Sequence, residues 1–298
     1  METLEKFKGV NSIHFHKRFV DEASCLYYLS QIKWKRGYSC RTCGHTNYCY
    51  GKSLYSRRCT KCKFDESVKS GTMFDKIKFS MLTCFHIIFK ITTKIKGMSA
   101  LEISHEFETR VMTCWAFKWK VQQAMKSSKG FPLTGEVHVD EFYIGGPEEG
   151  KPGRSHGKKR LIILALEIIG GKNMGRAYAR VIENSSEMEL LSFMIDHIDK
   201  NANVVTDKWA SYAPIKKAYT KLEQKKSEKG KNFKEIHLHI MNIESWLKGI
   251  HHHCSKEHLQ GYLDEYHFRF NRRNNMYTIF HILIEKMMMH TPKRLENI

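Results

Sequence analysis

The stretch Gly135-Glu136-Val137-His138-Val139-Asp140-Glu141-Phe142-Tyr143-Ile144-Gly145-Gly146 decides how the rest of the chain is read. It predicts a short buried strand that carries Asp140 and ends at two glycines. A carboxylate on an apolar strand is costly to bury unless something pairs with it. Two partners are open: a divalent cation shared with Asp207, or a turn that Asp140 caps at the strand end. Downstream, Arg160 to Ile169 and Arg176 to Ile182 read as two more strands, making an antiparallel meander. Ser185 to Lys200 reads as an amphipathic helix with Met188, Leu191, Met194, Ile195 and Ile198 inward. Asn203-Val204-Val205-Thr206 is then a short strand with Asp207 at its end. A strand reached through a helix pairs in parallel with an earlier strand by a right-handed crossover. That topology would bring Asp140 and Asp207 side by side.

The chain has 298 residues, 41% hydrophobic and 27% charged, enough to bury a core in one large domain or in two to three smaller ones. Its formal net charge is +19, which makes a polyanion the natural partner. No apolar run approaches the roughly eighteen residues that span a bilayer, and the first residues lack a signal-peptide pattern. Nine cysteines, four of them in two Cys-x-x-Cys pairs, point to metal binding in a reducing compartment rather than to disulfides. Cys25, Cys49, Cys84, Cys114 and Cys254 are expected as small core residues.

Asp21 is a suitable N-cap for a helix with Ala23, Leu26, Leu29 and Ile32 at helical spacing. Cys40-x-x-Cys43, fifteen residues, then Cys59-x-x-Cys62 fit a tetrahedral four-thiolate zinc site that leaves no open position. Tyr48, Tyr50 and Tyr55, among polar residues, suggest a small sheet whose stability the metal supplies. Lys52, Arg57, Arg58, Lys61 and Lys63 make this ribbon basic.

Residues 70–126 read as helical throughout. Ser80 to Ile91 shows a core pattern, Ser99 caps a helix from Ala100, and a third helix runs through Trp115, Trp119 and Val121, with both tryptophans expected in the core. Helix, short turn, helix beside Arg110, Lys118 and Lys120 suggests a helix-turn-helix DNA reader. Ser127-Ser128-Lys129-Gly130 with Pro132 is the best linker. Pro147 to Lys159 reads as a loop, and Lys216 to Lys234 as a solvated lysine-rich excursion. The chain reads as mostly helical again after Met241, with Arg272 and Arg273 as a basic tip and a last helix from about Met276 to Met289. The domains expected are 15–69, a zinc ribbon with its leading helix; 70–128, a helical module; and 133–290, the domain holding the aspartates.

In order, Cys40-x-x-Cys43…Cys59-x-x-Cys62, Ser70-Gly-Thr72, Gly97-Met-Ser99, Val139-Asp-Glu141…Gly145-Gly146, Thr206-Asp207-x-Trp209-x-x-Tyr212 and His258-Leu259…Tyr262-Leu-Asp-Glu265…Arg269-Phe-Asn-Arg-Arg273 resemble the zinc-ribbon insertion-sequence transposases of the ISXO type. The resemblance implies an α/β or α+β multidomain protein with an RNase H-like mixed-sheet catalytic domain. It implies Asp140 and Asp207 as ligands of magnesium or manganese, with Asn242, 35 residues beyond Asp207, as the third catalytic residue. Glu244 stands where relatives with that Asn often carry a basic residue, and on charge alone it is the better ligand. Only one of the two can face the aspartates, because residues two apart on a helix point about 200° away from each other.

Also implied are metal-dependent strand cleavage and strand transfer, double-stranded DNA as partner, a homo-oligomer on DNA, and a bacterial cytoplasmic, nucleoid-associated location. Arg57, Arg58, Lys61, Arg110, Lys118, Lys248, Arg272 and Arg273 are the expected DNA contacts. A non-catalytic DNA-binding regulator and a nuclease of the same fold are the alternatives.

Overall fold

The computed structural model describes residues 5–145, 159–251 and 255–292. The loop expected over 147–159, apart from its last residue, and Cys254 lie outside them. The chain forms two compact units: Met1–Met125 with Asn274–Ile298, and Lys126–Arg273.

The first unit begins with helices α1 (Ser12–Arg18) and α2 (Glu22–Lys33). Asp21 caps α2 reciprocally: its carboxylate accepts the Ser24 N–H at 2.8 Å while the Ser24 hydroxyl accepts the Asp21 N–H at 3.3 Å. Strands β1 (Tyr48–Tyr50), β2 (Arg57–Cys59) and β3 (Asp65–Glu66) then form an antiparallel sheet. The helical reading from residue 70 is corrected: 70–80 is a run of turns. Thr72 organises it, donating to the Lys69 carbonyl and accepting the Phe74 N–H, and it sinks Met73 and Phe74 into the core. Helix α3 (Met81–Thr93) is capped by Ser80, and α4 (Ala100–Glu106) by Ser99. Four residues, with Glu108 at φ 49°, join α4 to α5 (Val111–Met125). On α5 the buried stripe is Cys114, Phe117, Val121 and Met125; Trp115 and Trp119 are half-buried. Cys25, Cys84 and Cys114 are buried, whereas Cys49 is exposed on the outer strand of the small sheet.

The last helix, α9 (Ile279–Met289), belongs to this first unit, and so the domain expected over 133–290 is corrected at its C-terminal end. The cause is aromatic packing. Phe280 has its ring centroid 5.2 Å from Phe15, 5.5 Å from Phe85 and 5.6 Å from Phe7, with ring planes at 74° to 86°. Edge-to-face contacts of this kind add to the area such rings bury. Tyr28 accepts the Phe7 N–H at 3.0 Å and meets His281 Nδ1 at 2.6 Å, so α2, α9 and the N-terminal segment share one buried hydrogen-bonded node.

The second unit is built on a five-stranded sheet. Strands β4 (Glu136–Ile144), β5 (Arg160–Ile169) and β6 (Asn173–Ile182) are antiparallel neighbours, and β7 (Asn203–Thr206) and β8 (Glu223–Gln224) run parallel to β4 in the order β6-β5-β4-β7-β8. Helix α6 (Glu187–His197) covers one face through Leu190, Phe193 and Met194, which pack with Val137 and Val139. Its inward stripe is corrected: Met188 and Ile195 are 76% and 57% exposed, because apolar residues occur on two sides of this helix and only one meets the sheet.

Helices α7 (Lys234–Ile250) and α8 (Lys256–Phe270) cover the other face, where Ile236, Ile243, Leu247 and Leu263 pack with Phe142, Ile162 and Leu164. Two more readings change here. Residues 216–234 are no solvated excursion, since they contribute β8 and bury Tyr219, Leu222 and Phe233; and α7 starts at Lys234, not after Met241. Among the described residues no helix is long and apolar enough to cross a membrane.

Two expectations follow from this packing. Phe280→Ala should cost about 3–5 kcal/mol, the usual price of truncating a buried aromatic ring, read as a lower denaturant midpoint. His197 and His267 are each held neutral, burial pushing both down to about 4. A histidine depressed in the folded state stabilises fully above its unfolded value of about 6.5 and loses that stabilisation as pH falls towards 4. Thermal stability should therefore drop between pH 6.5 and 4, and His267→Phe should flatten the drop.

Candidate functional site

The parallel pairing of β4 with β7 builds the site. Its register sets Glu136 against Asn203 and Val139 against Thr206, so Asp140 and Asp207 are the next residue of each neighbouring strand. Neighbouring strands lie about 4.8 Å apart. Alternation places both side chains on the face covered by α7 and α8, since Val139 and Val204 face α6 while Phe142 and Val205 face the other way. Burial raises the Asp140 carboxyl above the usual range; His237 and the Glu141 N–H oppose the rise, and the Asp207 charge adds to it.

α7 brings His237 to this point, with Nε2 3.1 Å from Asp140 Oδ2. Its early start, missed in the sequence reading, is what puts His237 on a helix. The two candidates for the third position separate on the same helix. Glu244 is seven residues on, about 20° short of two full turns, and so shares the side of His237 some 10 Å further along. Asn242 lies about 140° round from His237, on the flank of His239 and Trp246, whose rings pack against Tyr266 of α8. Glu244 is half-buried and Asn242 exposed.

Three further residues hold the carboxylate pair in place. On the opposite face of β4, Glu141 accepts a short hydrogen bond from the hydroxyl of fully buried Tyr212, beyond β7. Burial pushes Glu141 up to about 7, the Tyr212 bond opposing and the charges of Asp140 and Asp207 adding to it. Gln224 of β8 donates its amide to the carbonyls of Asp207 and Trp209, at 3.3 and 2.9 Å. Asp207 Oδ1 accepts the Trp209 N–H at 2.9 Å, closing the turn. Glu141 and Tyr212 stood in the motifs quoted above, but nothing in the spacing said they would meet. Gln224 had no sequence signal at all.

The four cysteines converge. All four sulfurs lie within 4.8 Å of one another, Cys40 to Cys62 at 3.5 Å and Cys43 to Cys59 at 3.6 Å. A tetrahedron with zinc–sulfur bonds of about 2.3 Å has edges of about 3.8 Å, so this cluster could hold a metal ion such as zinc. Burial raises the Cys40 thiol, but the N–H groups of Thr42 and Cys43 outweigh it and bring it down to about 6, which favours a thiolate ligand. His45 meets Thr60 Oγ1 at 3.1 Å.

With this geometry in place, comparison with known proteins gives two matches. Residues 132–271 match the profile of the ISXO2-like transposase domain. This segment is an ISXO2-like transposase domain. A relative described as an uncharacterized protein in the transposable element ISH50 of Halobacterium salinarum is 22% identical over 216 residues, 67% of this chain and 71% of the relative. The transposase domain spans β4 to α8 and leaves out α9, which packs in the other unit.

The basic residues expected to meet DNA divide into two groups. Arg110, Lys61 and Lys248 are exposed and Arg58 is half-buried. The others have structural work. Lys118 is corrected: it is 3% exposed and its ammonium donates to the Met98 carbonyl, bracing α5 against the turn before α4. Arg57 lies over the rings of Trp34 and Tyr48, 4.7 and 4.0 Å from their centroids. In the second unit, Arg272 stacks on Phe268 and Arg273 on Phe270, Arg273 also donating to the carbonyls of Gly175 and Met174 at the start of β6.

The cysteine geometry makes its own forecast. Purified protein should carry one zinc per chain by elemental analysis. Cys59→Ser, which removes a fully buried thiol, should lose the metal and lower the melting temperature by several degrees. Equal stability with and without metal would contradict it.

Proposed function

We propose that the protein is a DNA transposase whose RNase H-like catalytic domain cleaves and joins strands at the ends of an insertion sequence. One observation carries this reading: the β4–β7 register that makes Asp140 and Asp207 neighbours on one face of the sheet, within a transposase domain. Like charges this close call for a cation, and hard carboxylate oxygens suit magnesium or manganese. Bound there, such ions supply activation of a water or 3′-hydroxyl and stabilisation of the leaving oxygen in an in-line displacement.

The chain's own groups do the rest. Asp140 and Asp207 would hold the metal, His237 would orient the Asp140 carboxylate, and the Glu141–Tyr212 and Gln224 contacts would keep the two strand ends from drifting. Glu244 is the better third residue than Asn242, because it shares the side of α7 that His237 turns towards Asp140. Among the basic residues, Arg58, Lys61, Arg110 and Lys248 would meet phosphates. The zinc ribbon over 15–69 and the helical module over 70–128 would bind the element's ends. Two ends must be held together for transposition, so the working form would be a homo-oligomer on bacterial nucleoid DNA.

The test is a cleavage assay on element-end duplexes with magnesium or manganese. Asp140→Asn and Asp207→Asn should each lower the rate by at least about 10²–10³-fold, a loss of the size seen when one transition-state stabiliser is removed, with DNA affinity intact. Glu244→Ala should fall with them, and Asn242→Ala should stay near wild type. Full activity in either aspartate variant refutes the reading. Cleavage without joining would indicate a nuclease, and binding without cleavage a regulator.

A further inference from the structure

We propose that Trp209, with the cavity beside it, forms a subsite for one unpaired nucleotide of the DNA strand that enters the carboxylate pair. This rests on the transposase reading and names what the site holds next to the reacting phosphate.

Trp209 is 45% exposed and stands two residues from Asp207. It is not loose. Its backbone N–H is bound by Asp207 Oδ1, its carbonyl accepts from Gln224, and its indole Nε1–H donates to the Ser185 carbonyl at 3.4 Å. The ring is therefore held by its polar edge while part of its surface remains open to solvent. Ser185 also lines a cavity of about 420 Å³, together with Tyr143, Lys159, Arg160, Glu183 and Asn184. That volume is in the range of about 300–1,000 Å³ common for small-molecule sites. The sheet register puts the cavity past the C-terminal end of β4, where Arg160 pairs with Ile144, four residues beyond Asp140, and Leu161 pairs with Ile182. Tyr143, Leu161 and Ile182 lie on the α6 face, so a strand leaving the carboxylates would reach the cavity round that end of the sheet.

The chemistry selects a nucleotide. A held aromatic surface offers stacking to any base, and Lys159, Arg160 and the exposed Lys208 offer charge to its phosphates. Glu183 and Asn184 carry oxygens that can accept from base-edge amino groups. The base must be unpaired, because inside a duplex both of its faces are already stacked. An acidic or apolar partner would use the cations or the indole, but not both beside a pair of carboxylates.

The experiment measures binding of full-length protein, in calcium, to three labelled DNAs of one sequence: a blunt duplex, a duplex ending in a short unpaired flap, and the single strand. A 2-aminopurine stands at the first unpaired position. Wild type should bind the flapped DNA about tenfold tighter than the blunt duplex and quench the 2-aminopurine. Trp209→Ala should abolish both effects with blunt-duplex affinity changed less than twofold, and Trp209→Phe should restore most of each. The proposal fails if Trp209→Ala keeps the flap preference and the quench, or if it weakens all three DNAs equally. The two readings fail separately. Flap preference without magnesium- or manganese-dependent cutting overturns the catalytic reading alone, whereas cutting without flap preference overturns the subsite alone.

Discussion

Two carboxylates on adjacent strands repel each other, and much of the transposase domain can be understood as the support for that arrangement. Taking the strand spacing of about 4.8 Å as the separation and an effective dielectric of about 20, the repulsion would be about 3 kcal/mol, a large share of a domain's net stability. The parallel β4–β7 ladder imposes the proximity through backbone hydrogen bonds. Side chains then restrain each strand end: Tyr212 binds Glu141 below the sheet, Gln224 holds the Asp207 turn from β8, and His237 reaches Asp140 from α7. Each restraint comes from a different element, so no single segment can relax without straining the others. This is how a fold holds two like-charged side chains at neighbouring strand ends.

The first unit solves a different problem. The ribbon sheet has almost no core of its own, its buried apolar cluster being Tyr38, Cys40 and Cys59, and two of these three are thiols of the metal-binding cluster. A module this thin would gain its stability from a metal held by the four thiols. The helical part has the opposite character. Six phenylalanines, Phe7, Phe15, Phe19, Phe85, Phe89 and Phe280, interlock around ring contacts of 4.2 to 6.2 Å, and the last of them arrives from the far end of the chain. The segment from Phe7 to Phe19 and α9 thereby share one core, and the transposase domain is inserted in the sequence between helices that pack together.

The charge of the chain also needs a structural reading. A net +19 suggests a broad phosphate-binding surface, but several cations are spent inside the fold. Lys118 braces α5 against the turn before α4, Lys33 reaches buried Glu66 at 3.0 Å and two backbone carbonyls, and Arg57, Arg272 and Arg273 stack on aromatic rings. Long basic side chains bury their stems readily when the head finds a carbonyl or a ring, so counting them overstates the free charge.

The sequence by itself determined what depends on local spacing. The Cys-x-x-Cys pairs, the Asp21, Ser80 and Ser99 caps, the three antiparallel strands and the crossover that returns beside β4 are encoded within short windows. Capping, turn chemistry and strand alternation act over a few residues. Tertiary structure alone decided what depends on which surfaces meet. It moved α9 out of the domain that precedes it, chose one of two apolar sides of α6, and turned a lysine-rich stretch into an edge strand. It also gave Lys118 a buried partner and brought His237 of α7 to Asp140. In each case several faces of a helix or several partners for a strand were compatible with the local pattern. Burial and long-range pairing, which no window of sequence contains, selected among them.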